Sequence, residues 1–341
     1  MKYIRWIMLK ISNFEIKNSL VLAPMAGFTD YAFRHIACEL GAGMTVSEMV
    51  NVKGLVHDDK KTLDLTKRIK DDAIYAVQIF GSNEDDYKRA IEEHLNAMDI
   101  DIIDINMGCP MPKITKNGDG SALLKDTEKV YKVVKAAKSA SAKPITVKIR
   151  IGWDDEHLSG VDNAKAIEEA GADAITVHGR TREAFYTGSA NWDYIKKIVD
   201  AVDIPVIANG DVAALDDYKR ILEVTGASGV AIGRGALANP FLFKEIASYL
   251  KGEEYISKDY QKIDIAIRHM DLDLELYPKE LLKNNMKKQL LQYIKGLRNA
   301  AKVKNAICES KDFDEIYEIL LKYREYLKNN IFKQYNICYI S

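Results

Sequence analysis

Over roughly the first 250 residues, short apolar runs rich in β-branched side chains alternate with longer amphipathic stretches. The runs are Leu20 to Ala23, Met44 to Ser47, Ile74 to Ile79, Ile102 to Ile105, Ile145 to Ile149, Ala174 to Val177, Val206 to Ala208 and Val230 to Ile232. Near-continuous hydrophobicity over so few residues marks strands buried on both faces, as in a parallel sheet. Between them, Phe33, Ile36, Ala37 and Leu40 recur at helical spacing and stop at Gly41, and Val130, Val133, Val134 and Ala137 do the same behind Asp126, a good N-cap. The segments EAGADAITVHG (169–179) and VTGASGVAIGRG (224–235) share one order: helix end, glycine, alanine, strand. Eight such units predict an α/β fold, a (β/α)8 TIM barrel over residues 1–250. The structural alternative, a doubly wound open sheet, lacks its main support because no GxGxxG follows the first run. After Lys251 the runs cease and helical periodicity takes over from about Tyr255, which predicts a C-terminal all-helical domain over residues 251–341.

Composition narrows the class. The chain has 341 residues, 47% hydrophobic and 29% charged, enough for a large core. A formal net charge of −1 excludes recruitment of nucleic acid by a global positive field and leaves only local patches for that purpose. Cys38, Cys109, Cys308 and Cys338 are scattered without a CxxC, so we expect no metal site and a reducing, cytoplasmic setting. No apolar run reaches the length of a membrane span, and MKYIRWIMLK lacks a signal-peptide core, so no membrane attachment is expected. Met8 is an alternative start, and a monomer is the expected state.

In a (β/α)8 barrel, chemistry gathers at the C-terminal ends of the strands. The first run leads into Pro24, Met25, Ala26 and Gly27, which either admit a flat ligand closely or form a tight turn. The second ends at Glu48, a rim or supporting carboxylate. The third carries Gln78, a buried amide that needs a partner, such as the imide of a ligand. The fourth stops at Asn106 and is followed by Gly108, Cys109 and Pro110, with a thiol on the turn and not inside the run. In ITVKIR, Lys148 and Arg150 alternate onto one face, an uncommon load for barrel core. His178, then Asn209, Gly210 and Asp211, then Gly233 and Arg234 close the last three strands. Loops after strands seven and eight are the usual phosphate site of this fold; Gly233 offers backbone N–H groups there and Arg234 a guanidinium fork. A glutamine, a lysine and a histidine around a ring, with phosphate at that end, predict a phosphorylated cofactor and point to FMN.

The segment IDINMGCPMPKITKNGDGS (103–121) resembles the signature of the tRNA-dihydrouridine synthases, within the FMN-dependent (β/α)8 reductases. LAPMAGFTD, QIFGS, VKIRIGWDD, VHGRTREAFYTGSANW, IPVIANGDV and AIGRGALANP are also similar, over about residues 15 to 310. The bacterial B-type branch looks most alike. The resemblance implies reduction of the C5–C6 bond of uridines in tRNA, with FMN reduced by NADPH or NADH. Hydride would pass from flavin N5 to C6 and a proton from Cys109 to C5. A thiol with a pKa of about 8.5 is mostly protonated at neutral pH and can serve as that acid. By the same resemblance, Pro24, Met25, Ala26, Gln78, Lys148, His178, Asn209, Gly210, Asp211, Gly233 and Arg234 would bind FMN, with Lys148 at the N1–O2 edge. Asn106 and Arg150 would face the uracil, and the loop from Pro112 to Gly120 would close over it as a lid.

A uridine in folded tRNA must leave its stack to reach such a pocket, and the body of the tRNA then needs a basic surface. Between Lys279 and Lys304 lie Lys283, Lys287, Lys288, Lys295, Arg298 and Lys302, against only Glu280. As one helix, this stretch would place Lys287, Lys295, Arg298 and Lys302 on one face, and Lys287, Lys295 and Arg298 are the expected tRNA contacts. KKQLLQYIKGLRNAAKVKNAI resembles the family's RNA-binding helix and departs from it at Gln289, where many members carry a histidine. Two rival readings stay open here. A small-molecule FMN reductase would need neither the Asn-x-Gly-Cys-Pro turn nor the basic tail. A non-catalytic RNA-binding barrel would need neither Cys109 nor a flavin site.

Overall fold

The computed structural model describes residues 8–68 and 73–329, the side chains at 281 and 283–285 aside. Eight parallel strands close on themselves: β1 (Leu20–Leu22), β2 (Met44–Val46), β3 (Ile74–Phe80), β4 (Ile102–Met107), β5 (Ile145–Arg150), β6 (Ala174–His178), β7 (Val206–Asn209) and β8 (Gly229–Ile232). Closure is direct, since β8 pairs back onto β1 with Val230 beside Leu20, and β2 pairs with β3 with Met44 beside Ile74. Helices wrap the outside, so the expected TIM barrel is what forms.

The strands run further than their apolar stretches. β4 continues through Asn106 to Met107 because Asn106 still pairs with Lys148 and Met107 with Ile149. Asn106 therefore lies inside the strand and not on the turn after it. Side chains of a strand alternate sides. In β4 and β5, Ile103, Ile105, Met107, Ile145, Val147 and Ile149 join the apolar layer under the helices. The other face looks into the barrel, with Ile102 in a small inner layer shared with Ala76, Ala174, Ile207 and Ala231. That layer is sealed by an N-terminal hairpin that the apolar pattern does not predict, Lys10–Ile11 against Phe14–Glu15. Leu9 sits so close to Gly229, at the start of β8, that a Cβ there would come within 2.8 Å of its side chain.

Beyond the barrel come four helices: Asp259–Leu276, Lys279–Tyr293, Ala300–Glu309 and Phe313–Asn329. One sequence expectation is corrected here. The basic stretch is not one helix, because Gly296 (φ 79°) and Asn299 (φ 59°) take left-handed conformations that end one helix and start another. Lys287, Lys295, Arg298 and Lys302 do not share one helix face. The Lys287 ammonium instead donates to the carbonyls of Cys308 (2.8 Å) and Ser310 (3.0 Å), groups left without intrahelical partners at a helix C-terminus.

The seam between these helices and the barrel is polar at its centre. Asp30 caps helix Tyr31–Glu39 by accepting from the Phe33 N–H at 2.9 Å. Its other oxygen accepts from the Gln289 amide and lies 3.6 Å from His269 Nε2. Asp273 is 3.7 Å from the same nitrogen, and Tyr293 OH is 2.8 Å from Nδ1. Gln289 is thus a buried seam residue, not a contact awaiting RNA. Burial pushes Asp273 up to about 7, despite the pull of His269. Burial acts to lower His269, but the Asp30 and Asp273 carboxylates outweigh it and raise it. Both groups hold their protons more tightly folded than unfolded, so the stability they contribute is lost as pH rises through their folded values. Asp30 is shifted the other way, and its contribution is constant across this window. The Tm advantage of the wild type over Asp273→Asn should therefore shrink between about pH 4 and about pH 7. A constant difference in thermal melts would contradict this.

Candidate active site

The inner wall of the barrel turns polar toward the C-terminal ends of the strands. Register sets Gln78 beside Asp104, Asp104 beside Thr146, Asn106 beside Lys148, Arg150 beside His178, and His178 beside Asn209. Period-two alternation on adjacent strands thus gathers residues that are far apart in the chain. All but Lys148 are among the buried polar side chains.

Cys109 follows β4 by two residues. Asn106 Oδ1 accepts from the N–H groups of Gly108 (3.0 Å) and Cys109 (2.9 Å), and the Ser121 hydroxyl donates to the Cys109 carbonyl at 2.8 Å. Gly120 packs against this turn, where a Cβ would come within 3.0 Å of the Cys109 carbonyl. The Arg150 Nε closes the other side by donating to the Gly108 carbonyl at 2.8 Å. Burial pushes the Cys109 thiol up, against the opposing effect of Arg150 and Lys148, so it is held protonated.

The Gln78 amide does not need a ligand to satisfy it. Its Nε2 donates to Asp104 Oδ2 at 2.6 Å and its Oε1 accepts from Asn106 Nδ2 at 2.8 Å. Lys148 Nζ donates to Asn209 Oδ1 at 3.1 Å, and Asn209 Nδ2 donates to the Ala231 carbonyl of β8 at 2.7 Å. Burial pulls Lys148 down to about 8, and Arg150 adds to this. Burial likewise brings Arg150 down to about 10. Its Nη1 donates to the carbonyls of Thr181 and Phe185, each at 2.8 Å, so this guanidinium organises the loop after β6.

His178 is held well below its ordinary value, first by burial and then by Lys148, Arg150, Arg180 and Arg234, and is neutral. Asp211 works through arginines: Oδ2 pairs with Arg180 at 2.7 Å and Oδ1 meets Arg234 at 3.5 Å. Arg234 remains half exposed, with its guanidinium 4.6 Å from the centre of the Tyr186 ring. Gly210 (φ 121°) lets the chain pass His178, whose ring would lie 3.0 Å from a Cβ there. Gly233 precedes the short helix Arg234–Ala238 and faces Met25, whose sulfur would be 3.4 Å from a Cβ at 233.

Pro24, Met25, Ala26 and Gly27 form a tight turn, in which the Phe28 and Thr29 N–H groups both donate to the Met25 carbonyl. Glu48 Oε2 accepts from the Gly27 N–H at 2.5 Å. Over this turn reaches Lys288 from the helix Lys279–Tyr293, its ammonium 3.9 Å from the Phe28 ring centre. Met111, Tyr186 and Leu158 are large apolar side chains left exposed on loops at the same end.

Asp104, Thr146, Arg180 and Tyr186 were not among the expected site residues, and Lys288 stood in the basic stretch without being singled out. Asp104 and Thr146 were within reach, since each stands two residues before a chosen one, Asn106 and Lys148, on the same strand face. Lys288 carries no local signal, because only the packing of its helix on the barrel distinguishes it from Lys287.

A sequence profile described as "Dihydrouridine synthase (Dus)" matches residues 21–331. The chain is 38% identical over 303 residues to a probable tRNA-dihydrouridine synthase of Rickettsia conorii, covering 88% of this chain and 91% of that protein. It is 42% identical over 247 residues to the tRNA-dihydrouridine synthase B of Pseudomonas putida, covering 72% and 73%. Among solved structures, the 6-hydroxypseudooxynicotine amine oxidase of Pseudomonas geniculata superposes with a TM-score of 0.57 at 14% identity. That match covers 77% of this chain and 52% of the other, and it supports the barrel alone. Among the described residues, no helix is long and apolar enough to cross a membrane. The barrel, the Cys109 turn and these similarities over most of the chain lead to one statement of kinship: the chain belongs to the dihydrouridine synthase family.

Proposed function

We propose that this protein is a tRNA-dihydrouridine synthase that uses FMN, reduced by NADPH or NADH, to reduce the C5–C6 bond of specific uridines in tRNA. The observation that carries the reading is the Cys109 thiol, fixed on a turn held by Asn106, Ser121 and Arg150 at the end of β4, where burial favours its protonated form. The donor set fits FMN. Four cations bear on the buried His178, and a phosphate would balance the excess of positive charge.

Arg234, Gly233, Asn209 and Gly210 would hold the phosphate end, with Asp211 aiming Arg234 and Arg180. Lys148 would face the N1–O2 edge of the ring, and Gln78, His178, Pro24, Met25 and Ala26 would line its pocket. Bound FMN would supply the hydride for uridine C6. Cys109 donates its proton to C5. Arg150 and Asn106 frame the uracil and hold the backbone on either side of that thiol. The segment from Pro112 to Gly120, anchored at Ser121, closes over the base.

The tRNA body would cross from the barrel mouth to the helices. Lys288 stands at the mouth, while Lys295 and Arg298 are exposed on the turn between the second and third helices. Lys287 is engaged with a helix end, so its loss acts through the fold. Lys288→Glu with Lys295→Glu should raise the KM for tRNA and reduce the salt slope of binding by about 0.7–0.9 per lost phosphate contact. An unaltered slope would make both side chains mere solvated surface.

The reading is tested by mapping dihydrouridine in tRNA from a strain lacking the gene, before and after complementation, alongside purified protein on unmodified tRNA. Loss and restoration at defined positions supports it. A flavoprotein that oxidises NADPH yet forms no dihydrouridine on unmodified tRNA would favour a small-molecule reductase instead.

A further inference from the structure

Asp104 is 3% exposed, on the inner face of β4 two residues before Asn106. Its Oδ1 accepts from the Thr146 hydroxyl at 2.6 Å and its Oδ2 from Gln78 Nε2 at 2.6 Å. Gln78 Oε1 accepts from Asn106 Nδ2, and Asn106 Oδ1 accepts from the N–H groups of Gly108 and Cys109. One end of this chain is a carboxylate that only accepts. The other end is a pair of backbone groups that only donate. Both amides between them can then point only one way.

We infer that Asp104 is a positioning residue, which anchors the Gln78–Asn106 relay that holds the Cys109 turn and sets a buried carboxylate on the neighbouring strand, diagonal to the Lys148 amine. The first role follows from the hydrogen bonds alone. The second rests on the FMN reading for its functional consequence.

The charges around Lys148 support the second role. Asp104 pairs with Thr146, two residues before Lys148 on the same face of β5; Arg150 follows two residues later on that face, with His178 beside it on β6, and Cys109 stands on the turn after β4. At neutral pH the thiol is protonated and the imidazole neutral, so Asp104 is the anion of this group. Burial pushes Asp104 up to about 6, against its two hydrogen bonds and Lys148, which leaves it ionised at pH 7 and above.

Two variants separate the roles. Asp104→Asn keeps the shape and the acceptor toward Gln78. Its new NH2 can face Thr146, whose hydroxyl turns to accept, so only the charge is removed. Asp104→Leu removes the acceptor as well and strands the Gln78 NH2. Two measurements apply to the full-length holoenzyme: FMN release on dilution as a function of pH, read by flavin fluorescence, and the rate of Cys109 alkylation by iodoacetamide, read by mass spectrometry.

In Asp104→Asn the pH midpoint for FMN retention should fall by about one unit, with alkylation within about twofold of wild type at one pH. In Asp104→Leu alkylation should rise roughly tenfold as the turn loosens. An unchanged midpoint in the asparagine variant overturns the charge role. Wild-type alkylation in a folded leucine variant overturns the relay. If the leucine variant does not fold, Gln78→Leu breaks the relay one link later and is read in the same way. A wild-type protein that holds no FMN would sink the FMN reading and the charge role with it, while alkylation still decides the relay.

Discussion

Cys109→Ala is expected to keep its FMN and the reduction of that FMN by NADPH, while forming dihydrouridine on the order of 10²–10⁴-fold more slowly. The substitution removes the proton donor and little else. The bonds that shape the turn use the backbone of Cys109, whose N–H donates to Asn106 Oδ1 and whose carbonyl accepts from the Ser121 hydroxyl, and alanine preserves them. Because burial raises the thiol, its acid form persists to higher pH than that of a free cysteine. Single-turnover reaction of prereduced enzyme with unmodified tRNA isolates this step. Dihydrouridine formation at the wild-type rate would remove Cys109 as the acid.

Lys148→Met should impair the other half of the cycle, slowing FMN reduction by on the order of 10²-fold, the scale for deleting one preorganised group that stabilises developing negative charge. Methionine fills a similar volume in the barrel but carries no charge, and it leaves Asn209 Oδ1 without its donor. A pH signature accompanies the change. The Lys148 amine is pulled down to about 8, so FMN affinity in the wild type should weaken as pH rises through that value and the ammonium is lost. The methionine variant should bind weakly at every pH and lack this step. Stopped-flow flavin bleaching and FMN release on dilution read both effects. Wild-type rates with the pH step intact would place the ring elsewhere.

Much of the barrel was legible in the chain, for a local reason. Each strand of a parallel barrel is covered on both faces and must be apolar along its length, so β1 to β8 stand out one by one. The Cys109 turn was legible because glycine and proline flank a thiol where a run ends. The polar ends of β3 to β7 were legible because a charge or amide in such a run needs a reason. The roles of these residues were less so. Gln78 read as an amide awaiting a ligand, whereas Asp104 and Asn106 satisfy it from neighbouring strands. Asp211 read as a ligand contact, and its ion pairs with Arg180 and Arg234 come from packing that the chain does not report.

By itself, then, the sequence determined the (β/α)8 class, the polar strand ends and the thiol turn, all of which depend on residues within one turn or one strand of each other. Only the tertiary structure decided the N-terminal hairpin under the barrel, the break at Gly296 and Asn299, and the placing of Lys288 at the mouth with Lys287 on a helix end. The physical reason is that those outcomes turn on which backbone carbonyls and apolar faces remain unsatisfied once distant elements have packed. Spacing along the chain does not report that.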